Sequence, residues 1–170
     1  TQNGVRGGSA TVHFPIWHQE IEDILVLKNN KGTEDNRVRK LDYSIQVSKL
    51  FYERFIKDEE ITLFSPHEVP GLYEAFGMPE FDEMYEKYER KTSIDKKKVR
   101  AQTLFMDLLK ERAETGRIYI MNIDHCNTHS SFKDKVYMSN LCQEITLPTK
   151  PVQHIDDPEG EIALCILSAI

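Results

Sequence analysis

Three side chains near the carboxyl end of the chain have the types and spacing of a redox site. Asn140, Cys142 and Glu144 occupy alternate positions in the stretch Ser-Asn-Leu-Cys-Gln-Glu. In an extended segment, alternate residues point to the same side, so an amide, a thiol and a carboxylate would face one substrate. Such a set can hold a hydroxylated substrate, exchange a hydrogen atom or electron through sulfur, and transfer a proton. Cys165 follows 23 residues after Cys142.

Six stretches of the chain, taken together and in order, resemble one protein family. They resemble the large, catalytic subunit of class I ribonucleotide reductase, and the resemblance runs through nearly all 170 residues. One such stretch would be weak evidence, but six in the right order are strong, because chance does not preserve order as well as content. The matching stretches are residues 4–11, 25–32, 61–68, 124–129, 139–144 and 161–169.

The resemblance implies a role for each residue of this redox site. In the family, the cysteine of the Asn-Leu-Cys-x-Glu motif becomes a thiyl radical that abstracts the 3′ hydrogen of a ribonucleotide, and that cysteine matches Cys142. Glu144 would be the base for the 3′ hydroxyl, and Asn140 a hydrogen-bonding partner of the ribose hydroxyls. Cys165 resembles one of two cysteines that reduce the 2′ position and end as a disulfide. The family places the partner of Cys165 upstream of Thr1.

The glycine-rich start of the chain resembles the loop that reports which deoxynucleotide effector is bound. This specificity loop would span residues 1–9, with Gln2 and Arg6 reaching toward the substrate base beside Gly7 and Gly8. Glycines allow close backbone approach, and the planar guanidinium of Arg6 can stack on a base, which a lysine could not do.

The resemblance also implies the partners of the complete protein. The substrate would be a ribonucleoside diphosphate, and ATP and deoxynucleoside triphosphates would be effectors. A metal-containing small subunit would generate the radical, thioredoxin or glutaredoxin would supply the dithiol reductant, and the complete protein would form a homodimer. We expect no metal or cofactor bound directly to this chain.

Composition describes an ordinary soluble globular chain of about one domain. The 170 residues are 39% apolar and 29% charged, and no run approaches the roughly 18 to 20 apolar residues that span a bilayer. The net charge of −6 argues against a nucleic-acid polymer as partner. Three cysteines fit no structural disulfide framework and, with no signal peptide, indicate a reducing cytoplasm. Because the chain starts within a loop and stops within an apolar run, we interpret it as a piece of a larger protein, inactive alone.

Alternating strand and helix patterns predict an α/β fold across residues 1–170, and the resemblance implies that these residues are part of one catalytic barrel domain. Strands that alternate with helices predict a parallel sheet with crossover connections. The resemblance sharpens this to about the first half of a ten-stranded α/β barrel, with a finger loop, residues 139–147, carrying Cys142 into the barrel centre. The expected strands are 10–17, 41–46, 61–65, 117–123 and 162–167, and the expected helices are 18–28, 49–57 after the capping residue Ser48, one that starts at Pro79, and 95–114.

Two alternative functions stand beside the reductase. His125, Cys126 and His129 could bind zinc in an interaction domain. A tetrahedral zinc site wants four ligands, however, and no second pair follows at matching spacing, so a structural loop bordering the active site is preferred. The other alternative is a non-catalytic, nucleotide-binding regulatory paralogue that kept the fold, although a purely binding role has no need of the Cys142 thiol.

Two further groups of residues have structural interpretations. The charge run 96–98 with Arg100 is predicted to be the solvated face of a helix. Tyr85, Tyr88 and Tyr119 could be mistaken for radical-transfer tyrosines. The family's transfer tyrosines lie well beyond this segment toward the carboxyl terminus, so we interpret these three as packing residues.

Overall fold

The computed structural model describes residues 4–5, 7–29, 31 and 33–164, and it has the expected mixture of strands and helices. The elements in chain order are β1 (Thr11–Pro15), α1 (Ile21–Leu25), β2 (Asp42–Val47), α2 (Lys49–Ile56), β3 (Glu60–Phe64), α3 (Leu72–Ala75), α4 (Phe81–Arg90), β4 (Lys96–Arg100), α5 (Ala101–Thr115), β5 (Ile118–Asn122) and α6 (Ile123–Thr128).

The centre of the fold is a parallel sheet in the order β1-β2-β5. Phe14 of β1 aligns with Ile45 of β2, and Ile45 aligns with Ile120 of β5. Side chains alternate between the two faces of a strand, so Ile45 and its neighbours on that face pack into the main hydrophobic core together with Leu104 and Leu108 of α5. The parallel arrangement predicted from the alternation of strands and helices is confirmed for these three strands.

The other face of the central strand β2 is polar yet buried. Ser44 is 0% exposed and Gln46 is 1% exposed. Burial of polar side chains is costly unless they are hydrogen-bonded. Their partners lie in a segment of the chain that covers this face.

The remaining two strands form an antiparallel pair, which corrects the prediction that the expected strand 61–65 belongs to the parallel sheet. β3 pairs with β4, with Ile61 opposite Val99, and a single parallel bridge joins Phe64 of β3 to His18 in the chain that follows β1. The expected helix 95–114 therefore begins only at Ala101.

The lysine run 96–98 thus belongs to strand β4 and does not form the face of a helix. Lys97 pairs with Glu22, and Lys98 pairs with Glu60 at 3.6 Å. Residues 96–100 lack the apolar spacing of a helix, and the backbone ladder to β3 satisfies their amides and carbonyls instead.

A second core lies between α3, α4 and the end of β3, and Tyr85 is buried within it. The Tyr85 hydroxyl donates to the carbonyl of Thr62 at 2.6 Å and accepts from the Thr62 amide at 2.7 Å. Burial, the largest influence, raises the pKa of Tyr85 well above its ordinary value. Tyr88 packs against the same core and donates to the Pro70 carbonyl at 2.7 Å. The packing interpretation is confirmed for these two tyrosines.

The other boundaries follow the predictions with two differences. Helix α1 is much shorter than the expected 18–28, and its C-terminal turns give way to a bend before the 3-10 turn Glu34–Asn36. Residues 162–164 form no strand, although Glu161 bridges Lys150; the rest of the expected strand 162–167 lies outside the described residues. The described ranges form an open sheet and no closed barrel. They also contain no helix with the length and apolarity to cross a membrane.

Candidate active site

The polar face of the parallel sheet is covered by residues 137–147, here called the cysteine loop because it carries Cys142. Four sheet side chains point toward this loop, at alternating positions of two neighbouring strands. They are Thr11 and His13 of β1 and Ser44 and Gln46 of β2.

Three of these side chains hold backbone carbonyls of the cysteine loop. The bonds run from Gln46 Nε2 to Tyr137 O at 2.5 Å, between His13 Nε2 and Ser139 O at 3.1 Å, and from Thr11 Oγ1 to Leu141 O at 2.6 Å. The held carbonyls alternate along the loop. The loop is therefore fixed to the sheet by its main chain, which leaves its intervening side chains to face elsewhere.

The cysteine itself lies in a tight turn. The Gln143 amide donates to the Asn140 carbonyl at 3.2 Å, and Gln143 has a left-handed backbone with φ of 63°. The side chains of Cys142 and Glu144 are exposed. The extended geometry that placed Asn140, Cys142 and Glu144 on one side by alternation is therefore wrong, because a turn interrupts it.

The Asn140 side chain organises this turn. Its Oδ1 accepts from the Ile145 amide at 3.0 Å and from the Ser139 hydroxyl at 3.1 Å. One amide oxygen thus bridges the two ends of the turn around Cys142, as asparagine side chains commonly do in turns. Its Nδ2 group makes no hydrogen bond to the described residues and remains able to donate.

His13 is the titratable group beneath the loop. Burial, the dominant effect, lowers the pKa of His13, while its hydrogen bond with the Ser139 carbonyl partly opposes that shift. A carbonyl accepts only from a protonated nitrogen, so Nε2 of His13 carries a proton in this hydrogen bond. Its Nδ1 is buried and has no hydrogen-bond partner among the described residues.

Two clefts border the cysteine loop. The larger, about 740 Å³, reaches Asn140 and Ile145 and is lined mostly by apolar side chains from residues 137–164 together with Tyr73. The smaller, about 350 Å³, is lined by Ile120, Met121, Asn122, His125, Cys126, His129, Gln143 and Thr146. The first has the size of a small-molecule site.

The histidine and cysteine cluster lies on this smaller cleft. His125 and Cys126 belong to helix α6, so the expectation of a loop is corrected, but the segment does border the cysteine loop through Gln143. Burial raises the pKa of the Cys126 thiol, so this thiol is protonated more readily than an exposed one. Within the described ranges, no group of three or more histidine, cysteine or acidic side chains is arranged to hold a metal ion.

The predicted site residues fall into three groups. Asn140, Cys142 and Glu144 share one turn. Gly7 and Gly8 are exposed, with open space where a side chain would project. Gln2, Arg6 and Cys165 lie outside the described residues.

Five residues of the site were not predicted: Thr11, His13, Ser44, Gln46 and Gln143. The signal for the first four was present in the sequence. Polar residues alternate with apolar ones in the expected strands 10–17 and 41–46, and such alternation indicates a strand with one polar face. The pattern does not show what covers that face.

Comparison with known proteins gives the family. The sequence model of one protein family, the ribonucleotide reductase barrel domain, matches residues 1–170. The chain belongs to this family.

Individual relatives in the ribonucleotide reductase family agree. The ribonucleoside-diphosphate reductase subunit alpha of Haemophilus influenzae is 61% identical over 99% of this chain. Subunit alpha of reductase 1 from Escherichia coli K12 is 58% identical over 89% of the chain, and that of Enterobacteria phage T4 is 48% identical over 99%. These matches cover 23%, 21% and 23% of the respective relatives. The chain therefore spans less than a quarter of the length of the reductase subunits it matches.

Proposed function

We propose that this chain is the part of a class I ribonucleoside-diphosphate reductase α subunit that carries the radical cysteine. One observation supports the proposal above the others. The polar face of the parallel sheet holds the main chain of the cysteine loop, while Cys142 and Glu144 stay exposed on a turn that Asn140 bridges. Rigid support with an accessible thiol suits hydrogen-atom transfer, which needs close and fixed approach of the reacting atoms.

In the proposed reaction, the thiyl radical of Cys142 takes the 3′ hydrogen of the ribose and becomes a thiol. Glu144 accepts the proton of the 3′ hydroxyl while the 2′ hydroxyl, protonated by a thiol, leaves as water. Cys165 and a second cysteine outside this chain supply two electrons and close to a disulfide. Glu144 then returns its proton to the 3′ oxygen, and Cys142 returns a hydrogen atom to the 3′ carbon and becomes a thiyl radical again. The net change is ribonucleotide plus dithiol to deoxyribonucleotide, disulfide and water.

Asn140 and the cleft beside it suit the ribose of the substrate. The Nδ2 group of Asn140 is able to donate to a ribose hydroxyl, because only its Oδ1 is engaged within the loop. The cleft of about 740 Å³ that Asn140 lines is within the range of nucleotide-sized sites. Residues 139–147 would be the finger loop of a ten-stranded α/β barrel, of which these elements form about the first half.

The remaining parts of the proposal concern the complete protein. Residues 1–9, with Gln2, Arg6, Gly7 and Gly8, would form the loop that couples bound ATP or deoxynucleoside triphosphate to the choice of substrate base. A metal-containing small subunit would supply the radical, and thioredoxin or glutaredoxin would reduce the active-site disulfide. The complete α subunit would act as a homodimer in the cytoplasm, and this segment alone would be inactive.

The decisive experiment is cytidine diphosphate reduction by the complete α subunit that contains this segment, with a class I small subunit, ATP and dithiol. The Cys142→Ser variant is expected to form no product, while the matched Cys126→Ser variant keeps activity because that thiol lies outside the reacting set. Substantial product from Cys142→Ser would overturn the radical assignment. Nucleotide binding without product, from parent and variant alike, would favour the regulatory paralogue.

A further inference from the structure

Gln143 makes a different kind of contact between the loop and the sheet, because here the side chain belongs to the loop. Whereas sheet side chains reach up to hold loop carbonyls, Gln143 reaches down from the turn to the sheet. Its Oε1 accepts a short hydrogen bond from the hydroxyl of Ser44 in β2, and its Nε2 donates to the carbonyl of Ile120 in β5 at 2.8 Å. Gln143 thus joins the turn to two neighbouring strands.

The backbone of Gln143 is strained in the same turn. With φ of 63°, it is one of two non-glycine residues with positive φ among the described ranges. A left-handed backbone is unfavourable for a residue with a side chain, and it persists only where the surroundings hold it. The hydrogen bonds to Ser44 and Ile120 provide that restraint, together with the Gln143 amide bond to the Asn140 carbonyl.

Cys142 immediately precedes this anchored residue. The direction of its exposed thiol depends on the turn that Gln143 closes, and the nearest other anchor on that side is the bond from Thr11 to the Leu141 carbonyl. The Gln143 side chain points toward the sheet, where both of its polar atoms are hydrogen-bonded, and it also lines the smaller cleft.

We propose that Gln143 is a positioning residue for the thiol of Cys142, acting through its paired hydrogen bonds to Ser44 and Ile120. This inference rests on the proposed reductase function, since it assigns the anchor a role in hydrogen-atom transfer. Misplacement of a reacting group by about 1 Å can lower a rate by about 100-fold. Loss of the anchor therefore lowers kcat and leaves KM nearly unchanged.

The kinetic test uses the complete α subunit with its small subunit, ATP and cytidine diphosphate. Gln143→Leu keeps the volume but removes both hydrogen bonds, and we expect kcat to fall by about 10- to 100-fold with KM within about twofold. Ser44→Ala should lower kcat less, because the bond to Ile120 remains. The double variant should be no worse than Gln143→Leu, since both changes remove one shared interaction. Unchanged kcat in Gln143→Leu, or fully additive losses, would overturn the proposal.

A second measurement on the 170-residue chain separates the anchor from catalysis. Hydrogen exchange of the Gln143 and Ile145 amides, both bonded to Asn140, should accelerate at least tenfold in Gln143→Gly. Glycine accepts the left-handed backbone, so this variant loses the side-chain anchor without adding strain. The Thr62 amide, bonded to the Tyr85 hydroxyl in the second core, should exchange at the parent rate and reports that the chain is folded.

The two measurements distinguish failure of the proposed anchor from failure of the proposed reductase function. Unchanged exchange in Gln143→Gly would show that Gln143 does not hold the turn, whatever the activity. A parent protein that binds nucleotide but forms no product would instead overturn the reductase function, and with it the catalytic role of the anchor, even when exchange accelerates.

Discussion

The buried side-chain amide of Gln46 donates to the carbonyl of Tyr137 at 2.5 Å, which ties the middle of the central strand to the start of the cysteine loop. Gln46 is 1% exposed and also contacts the sulfur of Met121 in the neighbouring strand. A fully buried amide in the centre of a sheet is retained only where it is hydrogen-bonded. The bond explains why a polar residue occupies this position.

Replacement of Gln46 by leucine should destabilise the chain by about 1–3 kcal/mol, because the Tyr137 carbonyl loses its donor while the volume is kept. Urea unfolding followed by circular dichroism measures the change. Gln19→Leu is the matched control, since Gln19 is exposed, and its effect should stay within about 0.5 kcal/mol. Equal effects at both positions would contradict the proposed tie.

His13, which lies partly buried beneath the cysteine loop, should make the fold sensitive to mild acid. Burial places its folded pKa below the unfolded value of about 6.5. Below pH 6.5 the unfolded chain binds more protons than the folded chain, so the stability contribution of neutral His13 is present above pH 6.5 and is lost as the pH falls from there through the lower folded pKa. His18 also has a pKa lowered by burial and adds to the same trend.

His13→Gln tests this dependence, because glutamine can still donate to the Ser139 carbonyl but does not titrate. The melting temperature of the parent should fall more between pH 7.5 and pH 5.5 than that of the variant. Parallel pH profiles for the two proteins would mean that His13 is not the buried group responsible.

The partly buried ion pair between α2 and α4 should be costly to break. Arg54 holds both oxygens of Glu89 at 2.6 and 2.7 Å, and the Thr62 hydroxyl donates to the same carboxylate at 2.6 Å. Burial alone would raise the pKa of Glu89, but these hydrogen bonds and the charge of Arg54 outweigh it and hold the pKa below its ordinary value.

Glu89→Gln should therefore cost about 3–5 kcal/mol, because it leaves the charge of Arg54 without its partner in a mostly buried site. Glu86→Gln on the same helix is the control. Glu86 pairs with Arg90 at the surface, at 3.7 Å, and its loss should change the free energy of unfolding by less than about 1 kcal/mol. Similar losses for Glu86 and Glu89 in chemical denaturation would refute the argument.

Gly77 is a glycine that both backbone and packing require. Its φ is 85°, and a Cβ there would lie 2.7 Å from Cγ1 of Ile123 and 3.2 Å from the Ile123 carbonyl in helix α6. Gly77→Ala should combine left-handed strain with overpacking and cost about 2–4 kcal/mol.

Gly116→Ala isolates the backbone contribution to this effect. Gly116 has φ of 65° but open space where a Cβ would project, so its replacement should cost only about 1–2 kcal/mol. The difference between the two variants in thermal unfolding measures the contact with Ile123. No difference would show that α6 moves aside without cost.

Local patterns in the sequence predicted most of the elements, and tertiary contacts explain the exceptions. Apolar alternation was sufficient for β1, β2 and β5, because each buries one face in a continuous core. Residues 96–100 were predicted as helix and form a strand, because their conformation depends on pairing with β3 about 36 residues earlier. Neither the spacing nor the composition of the three lysines identifies β3 as the strand with which they pair.

The sequence by itself determined the family, the order of the motifs, and the presence of an amide, a thiol and a carboxylate within five residues. These three functional groups are evident from the sequence, because the residues that carry them are close neighbours along the chain. Only the tertiary structure decided that a turn presents Cys142, that His13 and Gln46 hold the loop, and that Ser44 meets Gln143 across 99 residues of chain. Those contacts form only when the loop covers the polar face of the sheet. Which face the loop covers is determined by the packing of residues that are far apart in the sequence.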